Sequence, residues 1–152
     1  MSTIKKPLSG RTLITSSAHN SLPAGTYVVL GTITHATNSP IDDLVEINVT
    51  AGATVSGGKQ LIVFAKQSLD GTNFSSGPES GSSAVDEKNL CQVGVVPLET
   101  AGAAQSGIFS LVAAYDGSLP YATKLIAKND TGATLASSGN SAYHAEVTST
   151  VA

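Results

Sequence analysis

The chain contains no tryptophan, one cysteine and few charges, and each scarcity removes a class of function. With four Tyr and three Phe as its only aromatics, it has little from which to build the ring platforms that sugar-binding modules use. Charged residues make up 12% of the chain, against about 25% in ordinary globular domains. The 8 Lys plus Arg and 11 Asp plus Glu leave a formal net charge of -3. No basic field is available to gather phosphates, so nucleic acid is not an expected partner.

No apolar run approaches the roughly 18 residues of a membrane-spanning helix, so no membrane is expected either. The opening MSTIKKPLSG lacks the apolar stretch of a secretory signal. The lone Cys91, in the run LCQVGVV, has no internal disulfide partner and reads as a small buried thiol. Without a signal or a disulfide framework, the chain is expected to fold in a reducing cytosol.

What is present is strand periodicity joined by turn chemistry. At 152 residues the chain is one domain by length. DLVEINVT (43 to 50) alternates with Val45, Ile47 and Val49 inward. AYHAEVTS (142 to 149) predicts Tyr143, Ala145 and Val147 on one face and His144, Glu146 and Thr148 on a polar one. QLIVFAK (60 to 66) is almost continuously apolar and predicts a central strand covered on both faces. Further strands are read at RTLIT (11 to 15), TYVVLGTI (26 to 33), NLCQVGVV (89 to 96), IFSLVAAY (108 to 115) and TKLIAKN (123 to 129).

Pro23-Ala24-Gly25, Asn38-Ser39-Pro40, Gly57-Gly58, Asp70-Gly71, Asp116-Gly117 and Asn129-Asp130-Thr131-Gly132 supply the turns. About eight strands with such punctuation predict an all-β, single-domain antiparallel β-sandwich, a jelly roll or a related Greek key. Residues 11–148 form the sandwich domain, 1–10 an extended N-terminal arm and 149–152 a C-terminal tail. Between Asp70-Gly71 and residue 88 runs a loop rich in Ser, Gly and Pro, longer than the roughly 12 to 15 residues usual for an unstructured connection.

Reactive constellations are scarce. His19, His35 and His144 are widely separated and none has a second ligand at metal spacing. Asp42-Asp43 and Asp86-Glu87 are sequence neighbours in loop contexts, which point to opposite sides of an extended chain and read as solvated loop charges. GATVSGGKQ (52 to 60) imitates a phosphate loop, but Lys59 is one place late, Gln60 replaces the hydroxyl, and a strand follows where a helix should begin. SGPESGSS (76 to 83) has the composition of a nucleophile elbow without its spacing. Tyr27, Tyr115 and Tyr143 fall on apolar faces, leaving Phe74 and Tyr121 as the candidate exposed rings. No catalytic residue, cofactor or metal is assigned, and the chain is not read as an enzyme.

SLDGTNFSSGP (68 to 78), followed by LPYATKLIAKNDTGATLASSGNSAYHAEV (119 to 147), resembles the small β-sandwich structural proteins of tailed bacteriophages, including jelly-roll capsid decoration or cement proteins. Those proteins carry a strand ending in Ser-x-Asp-Gly-x-x-aromatic and a Leu-Pro-aromatic step into a strand ending in Asn-x-x-Gly. Leu119-Pro120-Tyr121 and Asn129 to Gly132 fit, whereas Ala122 stands where a basic residue is more usual. The resemblance implies a virion protein on the capsid exterior, assembled in the host bacterial cytoplasm, that ties neighbouring capsomers together.

Its implied partners are the major capsid protein and copies of itself, as a dimer or trimer at local symmetry axes. Lys5, Lys6, Pro7 and Leu8 of the arm, with Phe74 and Tyr121, are the candidate contact residues. The alternative within the same fold is a tail, fibre or adhesin module that binds host glycans.

Overall fold

A computed structural model describes every residue except 1–3, 6–7, 38, 57 and 152. In chain order the strands are β1 (Ile4–Lys5), β2 (Thr12–Thr15), β3 (Tyr27–Thr34), β4 (Asp42–Thr50), β5 (Gln60–Ser68), β6 (Ser80–Gly81), β7 (Cys91–Pro97), β8 (Ala104–Ser110), β9 (Ala122–Asp130), β10 (Ser141–Val147) and β11 (Thr150–Val151). Two antiparallel sheets result, a four-stranded one in the order β2-β10-β4-β8 and a five-stranded one in the order β6-β3-β9-β5-β7, while β1 and β11 pair as a ribbon. Setting aside the two-residue β6, the strands lie as first, eighth, third, sixth and second, seventh, fourth, fifth. Those are the interlocked Greek keys of a jelly roll.

Period-2 patterning closes the sandwich. Asp43, Val45, Ile47 and Val49 of β4 are buried while the residues between them are only partly covered. Facing them across the core are Leu61, Val63 and Ala65 of β5 and Leu125 and Ala127 of β9, in one apolar cluster. Close approach at the sheet ends depends on glycine at one position above all. A Cβ on Gly52 would lie 1.9 Å from the Thr134 carbonyl oxygen, which explains a glycine in a stretch that mimics a phosphate loop.

The long connection after β5 is ordered. Asp70 opens it by accepting from the backbone N–H groups of Thr72 (2.8 Å) and Asn73 (2.7 Å). The chain then runs back across the outer face of the five-stranded sheet. Glu79 meets Lys66 (2.7 Å) and Lys124 (3.0 Å), and Glu87 meets Lys128 (2.5 Å) and the Tyr27 hydroxyl. Leu90 packs with Tyr27, Phe64 and Ile126 in a second small core. The loop is therefore a cover for apolar side chains that the sandwich interior cannot reach.

Two strand readings need correction. IFSLVAAY is not one strand: β8 ends at Ser110, and Leu111–Ala114 make a single helical turn, α1. Ser110 Oγ accepts from the Ala113 N–H, and the Asp42 carboxylate accepts from Ser110 Oγ (2.7 Å) and the Val112 N–H (3.0 Å), so side-chain acceptors end the ladder there. In β10 the alternation is right but its sense is inverted. His144 stands opposite the fully buried Val45 and Tyr143 opposite Glu46, which puts His144 toward the interior and Tyr143 outside.

Gly52→Ala is expected to destabilise the protein by about 1–3 kcal/mol, measured by denaturant unfolding. Glu79→Ala should release the cover, so that Ser80 and Gly81 amides exchange faster with solvent while amides of β9 keep their protection.

Candidate functional site

The two outer faces of the sandwich differ. One is closed by residues 70–90; the outer face of β2-β10-β4-β8 has no such cover among the described residues. The cross-strand pairs Tyr143↔Leu13, Tyr143↔Glu46 and Glu46↔Ile108 place these four side chains in a row on it. Ile108 is 67%, Leu8 57% and Leu13 52% exposed. Leu8, Leu44, Ile108, Tyr143 and Ala145 line a shallow depression of about 230 Å³ on this face.

Its charged residues neutralise each other. Arg11 forms a bidentate pair with Glu46 (2.9 and 2.6 Å) and stacks 3.4 Å above the Tyr143 ring. The Arg11 hydrogen bond holds the Glu46 carboxyl below its ordinary range. The result is an apolar patch around one internally compensated ion pair, bordered by the uncharged polar side chains of Asn48, Gln105, Ser106 and Ser141 and, at the end of β4, by Asp42 in its hydrogen bonds to Ser110 and Val112, and suited to contact by area and shape.

Beneath the rim lies a buried carboxylate between two imidazoles. Asp43 is fully buried, with His144 Nδ1 at 3.0 Å from its Oδ2 and His35 Nδ1 at 3.4 Å. His35 comes from the end of β3 and His144 from β10, so Asp43 joins the two sheets. The His144 contact is a hydrogen bond, whereas His35 Nδ1 finds no well-aligned partner, so His144 is the stronger of the two. Burial pushes the Asp43 carboxyl up, but the histidine contacts outweigh it and hold it low. The Asp43 hydrogen bond raises His144 against the opposing effect of burial.

The donor types are those of a metal site, yet no group of three or more His, Cys, Asp or Glu among the described residues is arranged to hold an ion. His19, also fully buried, has its pKa lowered by burial, partly offset by its hydrogen bond to the Asn48 carbonyl.

Of the contact residues expected from sequence, Leu8 joins the open face through its bridge to Val147. Lys5 lies in β1, paired with Thr150, while Lys6 and Pro7 fall outside the described residues. Phe74 pairs with Ser68 and sits under Lys124 at 4.4 Å, within the loop that covers the other face. Tyr121 is 46% exposed and lines a separate depression with His35 and Pro40.

Leu8, Phe74 and Tyr121 thus lie at three separate places on the molecule. Arg11, Leu13, Glu46 and Ile108, which make up much of the open face, carry no mark in the sequence, and Tyr143 reads there as a core ring. The signal that identifies them is cross-strand register, which a single strand's pattern does not contain. Compared with protein-family models, curated proteins and solved structures, the chain has no match.

Asp43→Asn is expected to cost about 3 kcal/mol near pH 6, because it leaves two imidazoles facing an amide, and to move the His144 titration in NMR down toward its ordinary value. The wild-type pH profile follows from the directions of shift. Asp43, held low, stabilises above about pH 4 and loses this as pH falls through its folded value. His144, held high, stabilises below about pH 6.5 and loses this as pH rises through its folded value. The Asp43–His144 contribution should thus peak between those limits, and Asp43→Asn should flatten that part of a stability-against-pH curve.

Proposed function

We propose that the chain is a structural component of a virus particle, a capsid decoration protein that lies with its open four-stranded face against the shell. The observation that carries this reading is the asymmetry of the two outer faces: one sealed by the chain's own loop, the other apolar, nearly neutral and exposed at Leu8, Leu13 and Ile108. The motifs that resemble phage sandwich proteins also take up defined roles here. Asp70 organises the turn after β5, Leu119-Pro120-Tyr121 leads into β9, and Asn129 closes its far end by donating to the Leu22 and Ala133 carbonyls, both at 2.7 Å.

In this reading the work is mechanical. Many copies each bury a modest area, and the sum resists separation of neighbouring capsomers. The partners are the major capsid protein and sister copies, on the particle exterior, with no covalent chemistry.

Quantitative mass spectrometry of purified particles tests this. Copy numbers in the hundreds, comparable with the major shell protein, are the expected result. A few to a few dozen would replace the reading with a tail or fibre module, and absence would remove the particle role. Leu13→Asp should lower occupancy on stripped shells at least tenfold while leaving the circular dichroism spectrum unchanged.

A further inference from the structure

Sheet edges in soluble proteins are normally guarded by brevity, bulges, proline or charge, because unpaired backbone groups recruit other strands. Three of the four edges of the two sandwich sheets are guarded. β6 has two residues and leaves residues 29–34 of β3 to form the rest of that edge, where β3 is bulged against β9 between Val29 and Gly31; β2 has four with an irregularity in its pairing, and β7 is bulged against β5 and ends in Pro97. The fourth edge, β8, is seven residues long, Ala-Gln-Ser-Gly-Ile-Phe-Ser, without charge, proline or a break in its register with β4. Among the described residues no strand is hydrogen-bonded to its other side, β7 of the facing sheet touching it only by packing.

The direction of its free groups follows from the ladder. Ala51 donates to the Ala103 carbonyl, and an antiparallel ladder alternates bonded and non-bonded pairs. Gln105, Gly107 and Phe109 therefore point their N–H and C=O groups at β4, and Ala104, Ser106, Ile108 and Ser110 point theirs outward.

We infer that β8 is the self-association edge of this protein, pairing antiparallel with β8 of a second copy about a two-fold axis at Gly107. That register sets Ser106 against the partner copy's Ile108, and Ala104 against its Ser110, so every outward group is matched and no residue overhangs. Gly107 meets Gly107 at the axis, where no side chains obstruct approach. A second copy is the fitting occupant because a strand without charges meets its own image without repulsion, and a two-fold contact closes at two subunits. The two four-stranded sheets become one continuous sheet. Since a two-fold of this kind runs perpendicular to the sheet, both open faces point the same way and form a single surface of twice the width.

The inference stands on the strand edge and does not depend on the particle reading, so it is tested on the isolated protein. Sedimentation equilibrium should show a concentration-dependent species of twice the 15.3 kDa chain mass. Ser106→Pro, which removes an outward N–H, and Ile108→Lys, which places a charge beside the axis, should each weaken it at least tenfold. As a site-specific readout, the Ser106 and Ile108 amides should exchange slowly only at dimer-forming concentrations, while Gln105, Gly107 and Phe109 are protected throughout. If Ser106→Pro fails to fold, Ile108→Lys and the exchange pattern still decide. A chain that stays monomeric at all concentrations, a dimer indifferent to Ile108→Lys, a larger closed assembly, or concentration-independent exchange at Ser106 and Ile108 would each overturn it.

Discussion

A sheet with apolar side chains on both faces has to be covered twice, and this requirement on the five-stranded sheet organises the molecule. Leu61, Val63, Ala65, Leu125 and Ala127 face the interior, while Tyr27, Phe64 and Ile126 face the other way. The four-stranded sheet meets the first demand. Residues 70–90 meet the second, which is why so polar a connection is laid down along the sheet rather than looped into solvent. With one partner layer used on each side of the five-stranded sheet, the outer face of the four-stranded sheet is left open.

The few charges follow the same division. Lys66, Lys124 and Lys128 project from the covered face and are met by Glu79 and Glu87 of the loop, so scarce ion pairs fasten the cover to the sheet. Lys66 is nearly buried and depends on that partner, since an unpaired ammonium there would be costly. On the open face Arg11 and Glu46 cancel locally. What remains outside is an apolar and hydroxyl-rich surface with little field of its own. Such a surface is suited to contact by fit and is poorly suited to long-range steering.

Asp43 adds a different fastening. Hydrophobic packing between sheets is non-directional, and a buried carboxylate facing His35 on one sheet and His144 on the other supplies direction at the end of the sandwich. Asp42 beside it turns to the opposite side and stops β8 by accepting from Ser110 and Val112. Two adjacent acids thus diverge as neighbours on an extended chain do, but they are not the solvated loop charges expected: both lie in β4 and Asp43 is fully buried.

Local pattern and turn chemistry in the sequence determined the all-β class, seven of the eight expected strands to within a residue or two, the inward set of β4, the central position of β5 and the turn at Asp70-Gly71. These depend on alternation and on backbone preferences that a few adjacent residues impose. Only the tertiary structure decided which side of β10 is inside, where β8 ends, what the long loop covers and which residues share the open face. Tyr143 looks like a core residue and His144 like a surface one until Asp43, a hundred positions away, takes the imidazole and Arg11 shelters the ring. Such choices are set by partners distant in sequence, and no local period carries information about them.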